Sequence, residues 1–285
     1  MANRVRVNDV ELCAESFGDA ADPAVLLIAG SGGSMDWWPV EFRDRIAAGG
    51  RFVIRYDHRD TGQSITYPPG EPGYSGEDLV ADIIGLLDAF DRPSAHLVGL
   101  SMGGALAQQV TLNHPERVAS LTLIATTSVG PGTARPPMTD ELRAFYEQAG
   151  EVEWTDRAAV VDHILAEDRA LSGSRYWDEA ARRGTVTRVV DRSADIAAKA
   201  NHDRAHSTSP WRQRLGEIRV PTLVIHGADD PLFPLGHGQA LAAEIPPAEL
   251  ITLADVGHEM PPPPTWDVVV PAILRLTSSF PGAGH

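Results

Sequence analysis

Residues 96–104 read HLVGLSMGG, an apolar run that ends in a Gly-x-Ser-x-Gly motif centred on Ser101. The apolar run predicts a buried strand, and the residues after the motif predict a helix that stops near Pro115. A serine at so sharp a strand-to-helix turn has strained backbone, so its neighbours must be very small, and Gly99 and Gly103 meet that requirement. The stretch therefore predicts Ser101 as a nucleophile exposed at the carboxyl end of a strand, with a plain glycine-rich turn as the alternative.

The rest of the chain alternates short apolar runs with stretches of helical periodicity. The apolar runs predict strands at residues 24–29, 52–56, 95–100, 118–125, 220–226 and 249–253. Helical spacing predicts helices at residues 35–48, 77–90, 103–113 and 266–276. Residues 4–17 alternate in polarity around an Asn-Asp turn and predict a hairpin. Strands that alternate with helices are typical of an α/β protein with a mostly parallel sheet flanked by helices.

One long stretch, residues 128–216, contains no convincing strand pattern. It begins with glycines and prolines and then shows helical spacing of its apolar residues. The sequence therefore predicts a helical cap over residues 128–216, inserted into a core formed by residues 1–127 and 217–280. The glycine-containing end, residues 281–285, is predicted to be a flexible tail.

Composition and charge exclude several classes of function. The 285 residues are 43% hydrophobic and 22% charged, which is ordinary for a globular protein with a large core. The 24 Lys and Arg against 39 Asp and Glu give a net charge of −15, which disfavours nucleic acid and anionic lipid as partners. The single cysteine, Cys13, excludes an intrachain disulfide and cysteine-rich metal sites.

No targeting or membrane segment is visible in the sequence. Charged residues interrupt the start of the chain, where a signal peptide would need a continuous apolar core. No stretch approaches the roughly 20 apolar residues that a membrane span requires. We therefore expect a cytoplasmic protein with no membrane partner, and the sequence leaves its oligomeric state open.

A serine hydroxyl is a weak nucleophile and needs a base, for which the chain offers ten histidines. We predict His258, because it follows the last predicted strand and so lies at the same sheet edge as Ser101. Two other histidines lie within predicted strands and are expected to be core residues: His96 and His226. Four more are candidates for lining the site, without an assigned role: His58, His202, His206 and His237.

The base in turn needs a carboxylate to orient it. Two acids, Asp229 and Asp230, follow the predicted strand at residues 220–226. The resulting chain order of serine, aspartate and histidine is the order associated with this type of strand–turn–helix serine. We predict that Asp230, directly before Pro231, is the orienting acid and that Asp229 is a solvated turn residue.

An ester carbonyl under attack develops negative charge, which rigid backbone amides stabilise well. One predicted donor is the amide of Met102, directly after the nucleophile, and the other is the amide of Ser31 in the glycine-rich loop at residues 30–34. That loop lacks the lysine and the glycine spacing of phosphate-binding loops, so no nucleotide cofactor is expected. No metal site is expected either.

Three further segments carry a resemblance to a known family: IRYDHRDTG at residues 54–62, VGLSMG at 98–103 and VPTLVI at 220–225. With these segments the chain resembles the α/β-hydrolase family in its serine-hydrolase branch, and within it the bacterial methylesterases of anthracycline polyketides. The resemblance implies an eight-stranded sheet with a helical cap. It also implies a triad of Ser101, Asp230 and His258, with Ser31 and Met102 as oxyanion donors. Family members usually have His-Gly where this chain has Ala-Gly at residues 29–30.

A Ser-His-Asp site without a metal or cofactor motif predicts hydrolysis of a small-molecule carboxylic ester through an acyl-enzyme. The resemblance implies a methyl ester of a polyketide. A lactonase, a thioesterase, a carbon–carbon hydrolase and a cofactor-free perhydrolase use the same triad and stay open, as does a ligand receptor on the hydrolase fold. Trp37, Trp38 and Phe233 are predicted substrate-binding residues, with core packing as the alternative for each.

Overall fold

A central sheet of eight strands organises the part of the chain that the computed structural model describes, residues 3–205 and 210–278. The strands are β1 (Asn3–Val7), β2 (Val10–Phe17), β3 (Ala24–Ile28), β4 (Phe52–Tyr56), β5 (Ala95–Leu100), β6 (Val118–Ile124), β7 (Thr222–Gly227) and β8 (Ala248–Leu253). Their order across the sheet is β1-β2-β4-β3-β5-β6-β7-β8. The β1–β2 and β2–β4 pairs are antiparallel, and every later pair in this order is parallel.

Eight α-helices accompany these strands within the described residues. They are α1 (Val40–Ala48), α2 (Gly76–Ala89), α3 (Met102–Asn113), α4 (Asp140–Gln148), α5 (Arg157–Leu171), α6 (Glu179–Arg192), α7 (Gly236–Glu244) and α8 (Trp266–Ser278). The α/β fold with a mostly parallel sheet is therefore confirmed.

Alternate residues of the central strands build two separate apolar layers, because successive side chains of a strand point to opposite faces. In β3, Leu26 and Ile28 belong to the layer that α2, α3 and α7 cover. Val25 and Leu27 belong to the layer that α1 and α8 cover. Burial on both faces explains why this strand is a continuous apolar run rather than an alternating one.

Two predicted boundaries and one missed helix differ from the structure because of proline or small residues. The helix predicted at residues 35–48 is interrupted: a 3-10 turn covers Met35–Trp37, Pro39 follows, and α1 begins only at Val40. Trp38, directly before that proline, has the extended backbone that a proline ring favours in its predecessor. Strand β7 begins at Thr222, after Pro221, which has no amide hydrogen for the ladder. Helix α7 was not predicted, since its alanines and glycines give a weak periodic signal.

Between β6 and β7 the described residues form helices α4, α5 and α6 and two 3-10 segments, Ile196–Asp203 and Arg212–Glu217. A small apolar group holds α5 and α6 together, and we call it the cap cluster: Val160, Val161, Ile164, Leu165 and Val186. The division into a core and a cap stays a prediction. The tail predicted at residues 281–285 and the candidate His206 lie outside the described residues.

Candidate active site

Ser101 stands at the turn between β5 and α3, where it is the N-cap of the helix. Its backbone has φ 51° and ψ −118°, a region that costs a non-glycine residue about 1–3 kcal/mol. A Cβ atom on Gly99 would overlap the backbone of Gly103, and one on Gly103 would overlap the carbonyl oxygen of Ile28. The two glycines of the motif are therefore required by close backbone approach, as the sequence analysis predicted for this turn.

The loops after β7 and β8 bring Asp230 and His258 to Ser101. His258 Nε2 lies 2.9 Å from Ser101 Oγ, and His258 Nδ1 lies 2.9 Å from Asp230 Oδ2. The second carboxylate oxygen, Oδ1, accepts the amides of Leu232 at 3.0 Å and Phe233 at 2.7 Å. Since a carboxylate accepts from Nδ1–H, Nε2 is free to accept the serine proton. The three residues predicted from sequence thus form one hydrogen-bonded chain.

The two candidate acids have different environments. Asp230 is buried, with 2% of its surface exposed. Asp229 is exposed, and its backbone amide donates to the carbonyl oxygen of Val256 at 3.0 Å. Of these two acids only Asp230 forms a hydrogen bond with His258, and Asp229 is an exposed turn residue, as predicted for each.

The loop after β3 passes directly beside the nucleophile. A Cβ atom on Gly30 would lie 3.3 Å from Ser101 Cβ. The amide of Gly33 donates to the carbonyl oxygen of Gly30 at 3.0 Å, which closes a tight turn around Ser31. None of the described residues accepts a hydrogen bond from the amide of Ser31 or Met102. Both predicted donors therefore lie next to Ser101, and neither amide donates to another of the described residues.

The three predicted substrate-binding aromatics have different surroundings. Trp37 lines the cavity at the nucleophile. Trp38 does not: it is 1% exposed and stacks on Phe42 with ring centroids 6.0 Å apart, so its predicted role is wrong. Its side chain belongs to the core layer under α1 and α8, so core packing, the alternative stated for it, is what the structure has. Phe233 contacts the His258 ring edge-on at 5.2 Å and does not line the cavity.

The cavity over Ser101 has a volume of about 540 Å³ and is lined by residues of the sheet edge and of the segment between β6 and β7. Its floor includes Gly30, Ser101 and His258. The predicted cap supplies aromatic and apolar wall residues: Tyr146, Trp154, His163, Ile164, Leu171, Val189 and Ile196. Trp154 is an aromatic residue that the sequence already offers for stacking on a flat substrate, and no motif marks the other six.

Charged side chains in the cavity wall are mostly paired with one another. Arg182 of α6 contacts Glu259 and lies 3.4 Å from Asp168, and Lys199 lies 3.1 Å from Glu167. Burial raises the pKa of Asp168 to about 6, against the opposing effect of Arg182. Asp203 completes the set and accepts the hydroxyl hydrogen of Ser31 at 3.2 Å. Of the residues that the structure describes, two cations and four acids therefore line the cavity.

The segment at residues 54–62 supports the site without reaching the nucleophile. Asp57 is fully buried and accepts the amides of Met35 at 2.9 Å and Gln63 at 3.0 Å. It also pairs with Arg192 of α6, whose Nη1 lies 2.7 Å from its Oδ2. His58 donates from Nε2 to the carbonyl oxygen of Ala29 at 3.0 Å, and burial lowers its pKa to about 3, so its ring is neutral. This segment therefore joins the loop after β3 to the cap.

Two further histidines have structural contacts: His226, predicted as a core residue and fully buried, and His237, a candidate for lining the site. His226 donates from Nε2 to the carbonyl oxygen of Phe233 at 2.7 Å, which holds the loop that carries Asp230. His237 contacts Thr127 Oγ1 and the carbonyl oxygen of Pro136, both at 2.8 Å. Within residues 3–205 and 210–278, no group of three or more His, Cys, Asp and Glu side chains is arranged to hold a metal ion.

A family model described as the α/β hydrolase fold matches residues 23–261, and the chain belongs to this family. Rhodomycin D methylesterase DauP of Streptomyces sp. (strain C5) is 31% identical over 281 residues, which cover 89% of this chain and 91% of that protein. The 3-oxoadipate enol-lactonase 2 of Acinetobacter baylyi is 28% identical, with 94% of each chain covered. These matches confirm the family resemblance stated from the sequence.

Solved structures agree on the fold. An esterase from Exiguobacterium antarcticum superposes with a TM-score of 0.79 at 21% identity, covering 98% of this chain and 100% of the esterase. At that identity the likeness speaks for the fold alone. Of the helices in the described part of the chain, none is both long and apolar enough to cross a membrane.

Proposed function

We propose that this protein hydrolyses a carboxylic ester through an acyl-enzyme formed on Ser101. The observation that carries the proposal is the chain of two 2.9 Å hydrogen bonds from Ser101 Oγ through His258 to Asp230. Nucleophile, base and orienting carboxylate are within hydrogen-bond reach of one another, which is the geometry that activates a serine hydroxyl.

The chemistry then follows from this geometry. Ser101 Oγ attacks the ester carbonyl carbon while His258 Nε2 takes the hydroxyl proton, and Asp230 stabilises the imidazolium that results. The amides of Ser31 and Met102 donate to the oxyanion. As the intermediate collapses, His258 returns its proton to the leaving alkoxide and the alcohol departs. Water attacks the acyl-enzyme by the same path in reverse and releases the carboxylic acid, which restores Ser101.

The cavity favours an uncharged, partly aromatic ester. Its volume of about 540 Å³ suits a medium-sized organic molecule, and Trp37, Tyr146 and Trp154 offer flat surfaces to rings. The relative named as a rhodomycin D methylesterase supports a methyl ester of a polyketide as the natural substrate. Among the described lining residues, the cations Arg182 and Lys199 are both paired with acids, so neither is free to pair with a substrate carboxylate.

A lactone is the second candidate, because an enol-lactonase is 28% identical over nearly the whole chain. The charges on the cavity wall distinguish the two. The substrate named for that relative, 3-oxoadipate enol-lactone, is a carboxylate, and four acids line the cavity here. The ester is therefore the proposal.

A matched substrate panel tests this function. We expect kcat/KM for a neutral aromatic methyl ester to exceed that for the same ester carrying a carboxylate by about tenfold or more, because like charges repel in a low-dielectric cavity. The panel includes a lactone and a thioester of the same acyl part. A faster rate on the lactone, or on the carboxylate, would overturn the choice of substrate class.

Trp154 and Trp177 form a matched pair for testing the cap. Both pack against the cap cluster, but Trp154 lines the cavity and Trp177 does not; Trp177 lies behind the lining residue Arg182. We expect Trp154→Ala to lower the ratio of kcat/KM for bulky over small esters by about 5- to 200-fold, the range for one large apolar contact. Small-ester kcat should stay within about tenfold of wild type. Trp177→Ala should lower the melting temperature and leave the ratio unchanged, and equal ratios in the two variants would contradict the assignment.

A further inference from the structure

His202, in the 3-10 segment of the cap, contacts the turn that carries the Ser31 amide. The amide of Gly32 donates to His202 Nδ1 at 2.7 Å. His202 Nε2 lies 2.8 Å from the carbonyl oxygen of Arg59. The Gly32 amide can only donate and the Arg59 carbonyl can only accept, so Nδ1 of His202 is unprotonated and Nε2 carries the hydrogen. The two partners therefore fix one neutral tautomer of a ring that is 5% exposed.

The turn that His202 contacts depends on the orientation of its central peptide. Gly30 to Gly33 form a four-residue turn closed by the Gly33 amide, and Gly32 in its third position has φ +63°. A positive φ there is the mark of a type II turn, whose central peptide is flipped relative to type I. The Gly32 N–H belongs to that central peptide. By accepting it, His202 holds the flipped form.

The same turn determines where the Ser31 amide points. Ser31 N–H and the Gly30 carbonyl belong to one peptide unit, and a trans peptide directs them to opposite sides. The Gly30 carbonyl accepts from Gly33 inside the turn, so the Ser31 amide faces outward, away from it. Gly30 itself lies against Ser101. Loss of the His202 contact would release the central peptide and let the turn, with its Ser31 amide, shift relative to the nucleophile.

We propose that His202 is a positioning residue for the oxyanion hole: its Nδ1 anchors the Gly30–Gly33 turn at the place where the Ser31 amide faces the ester carbonyl oxygen. The inference rests on the proposed function, because it assigns His202 a role in that reaction. It also gives the cap a part in the chemical step, through a residue that the sequence separates from Gly32 by 170 positions.

Two substitutions separate the two hydrogen bonds of His202. In His202→Asn, the side-chain oxygen takes the place of Nδ1 and keeps an acceptor for Gly32, while the donor to Arg59 is lost. In His202→Gln, the side-chain amide reaches the place of Nε2 and keeps that donor, while the acceptor for Gly32 is lost. Both variants lose the ring packing against His58 and Tyr74 equally. Their melting temperatures should therefore fall together.

We expect kcat on a small neutral ester to be at least tenfold lower in His202→Gln than in His202→Asn, with KM within about threefold. Removal of a whole oxyanion donor costs about 10²- to 10³-fold, and a misdirected donor should lose part of that. The inhibition constant of a trifluoromethyl ketone, which forms an oxyanion adduct on Ser101, should rise by the same factor as kcat falls. Equal kcat in the two variants, or a difference confined to KM, would overturn the proposal.

A third variant supplies the reference state. Ser31→Pro deletes the amide hydrogen itself, and proline suits the second position of a type II turn. In this background His202 has no donor left to position, so the Asn and Gln variants should have equal kcat. An undiminished difference there would show that His202 acts elsewhere. If the wild type hydrolyses no ester, the proposed function fails, while the ketone affinities still decide the role of His202.

Discussion

Replacing Ser101 with alanine is expected to lower kcat on every cleaved ester by about 10⁴-fold or more, because the three members of such a triad act as a unit. The hydroxyl lies 2.9 Å from His258 Nε2, so its removal deletes the nucleophile and leaves the base without a proton to accept. Steady-state turnover of a small chromogenic ester, with circular dichroism to verify folding, measures the effect. A folded variant that retains activity within tenfold of wild type would sink the assignment.

A double variant strengthens that result. If Ser101 and His258 act together in one step, kcat of the double variant Ser101→Ala/His258→Ala should be about as low as kcat of either single variant. If they contributed independently, the two fold-losses in kcat would multiply. Any rate that remains reports the oxyanion donors and substrate binding.

Asp230→Asn is expected to lower kcat by about 10³-fold or more at neutral pH, whereas Asp229→Asn should stay within about threefold of wild type. An asparagine at position 230 still accepts the amides of Leu232 and Phe233 but no longer stabilises the imidazolium, and its amide group favours the wrong tautomer of His258. Asp229→Asn is the matched control, because it makes the same acid-to-amide substitution at the adjacent, exposed side chain. Equal or reversed losses would mean that the orienting acid is the other one.

The fold and the Ser101, His258 and Asp230 positions were predictable because their signals are local. A glycine-flanked serine at a strand end and a polar residue after a strand both appear within a few residues, and parallel strands bring their carboxyl ends to one edge. The role predicted for Trp38 is wrong because its ring packs in the core against Phe42, while the adjacent Trp37 lines the cavity. Which of two adjacent tryptophans faces the site depends on tertiary packing that apolar periodicity does not encode.

The cavity wall was not predictable for a different reason. Contacts such as the one between His202 and Gly32 join residues far apart in the chain, and no sequence motif accompanies them. The ion pairs of Arg182 and Lys199 likewise depend on how α5 and α6 pack on each other. Helical periodicity indicates that such helices exist without saying which side chains meet.

The pair of Asp57 and Arg192 makes the cap a poor candidate for exchange between relatives. Asp57 directly follows β4 and is fully buried, and its counterion is Arg192 of α6. A graft that replaces residues 128–216 without an arginine at this point would strand a buried carboxylate, at a cost of about 3–5 kcal/mol. Such a chimera would be destabilised throughout, even if its new cavity suited the intended substrate. An exchange of the whole predicted cap is therefore expected to succeed only where the new segment places a cation next to Asp57. Substitutions of single cavity-lining residues leave the Asp57–Arg192 ion pair unchanged.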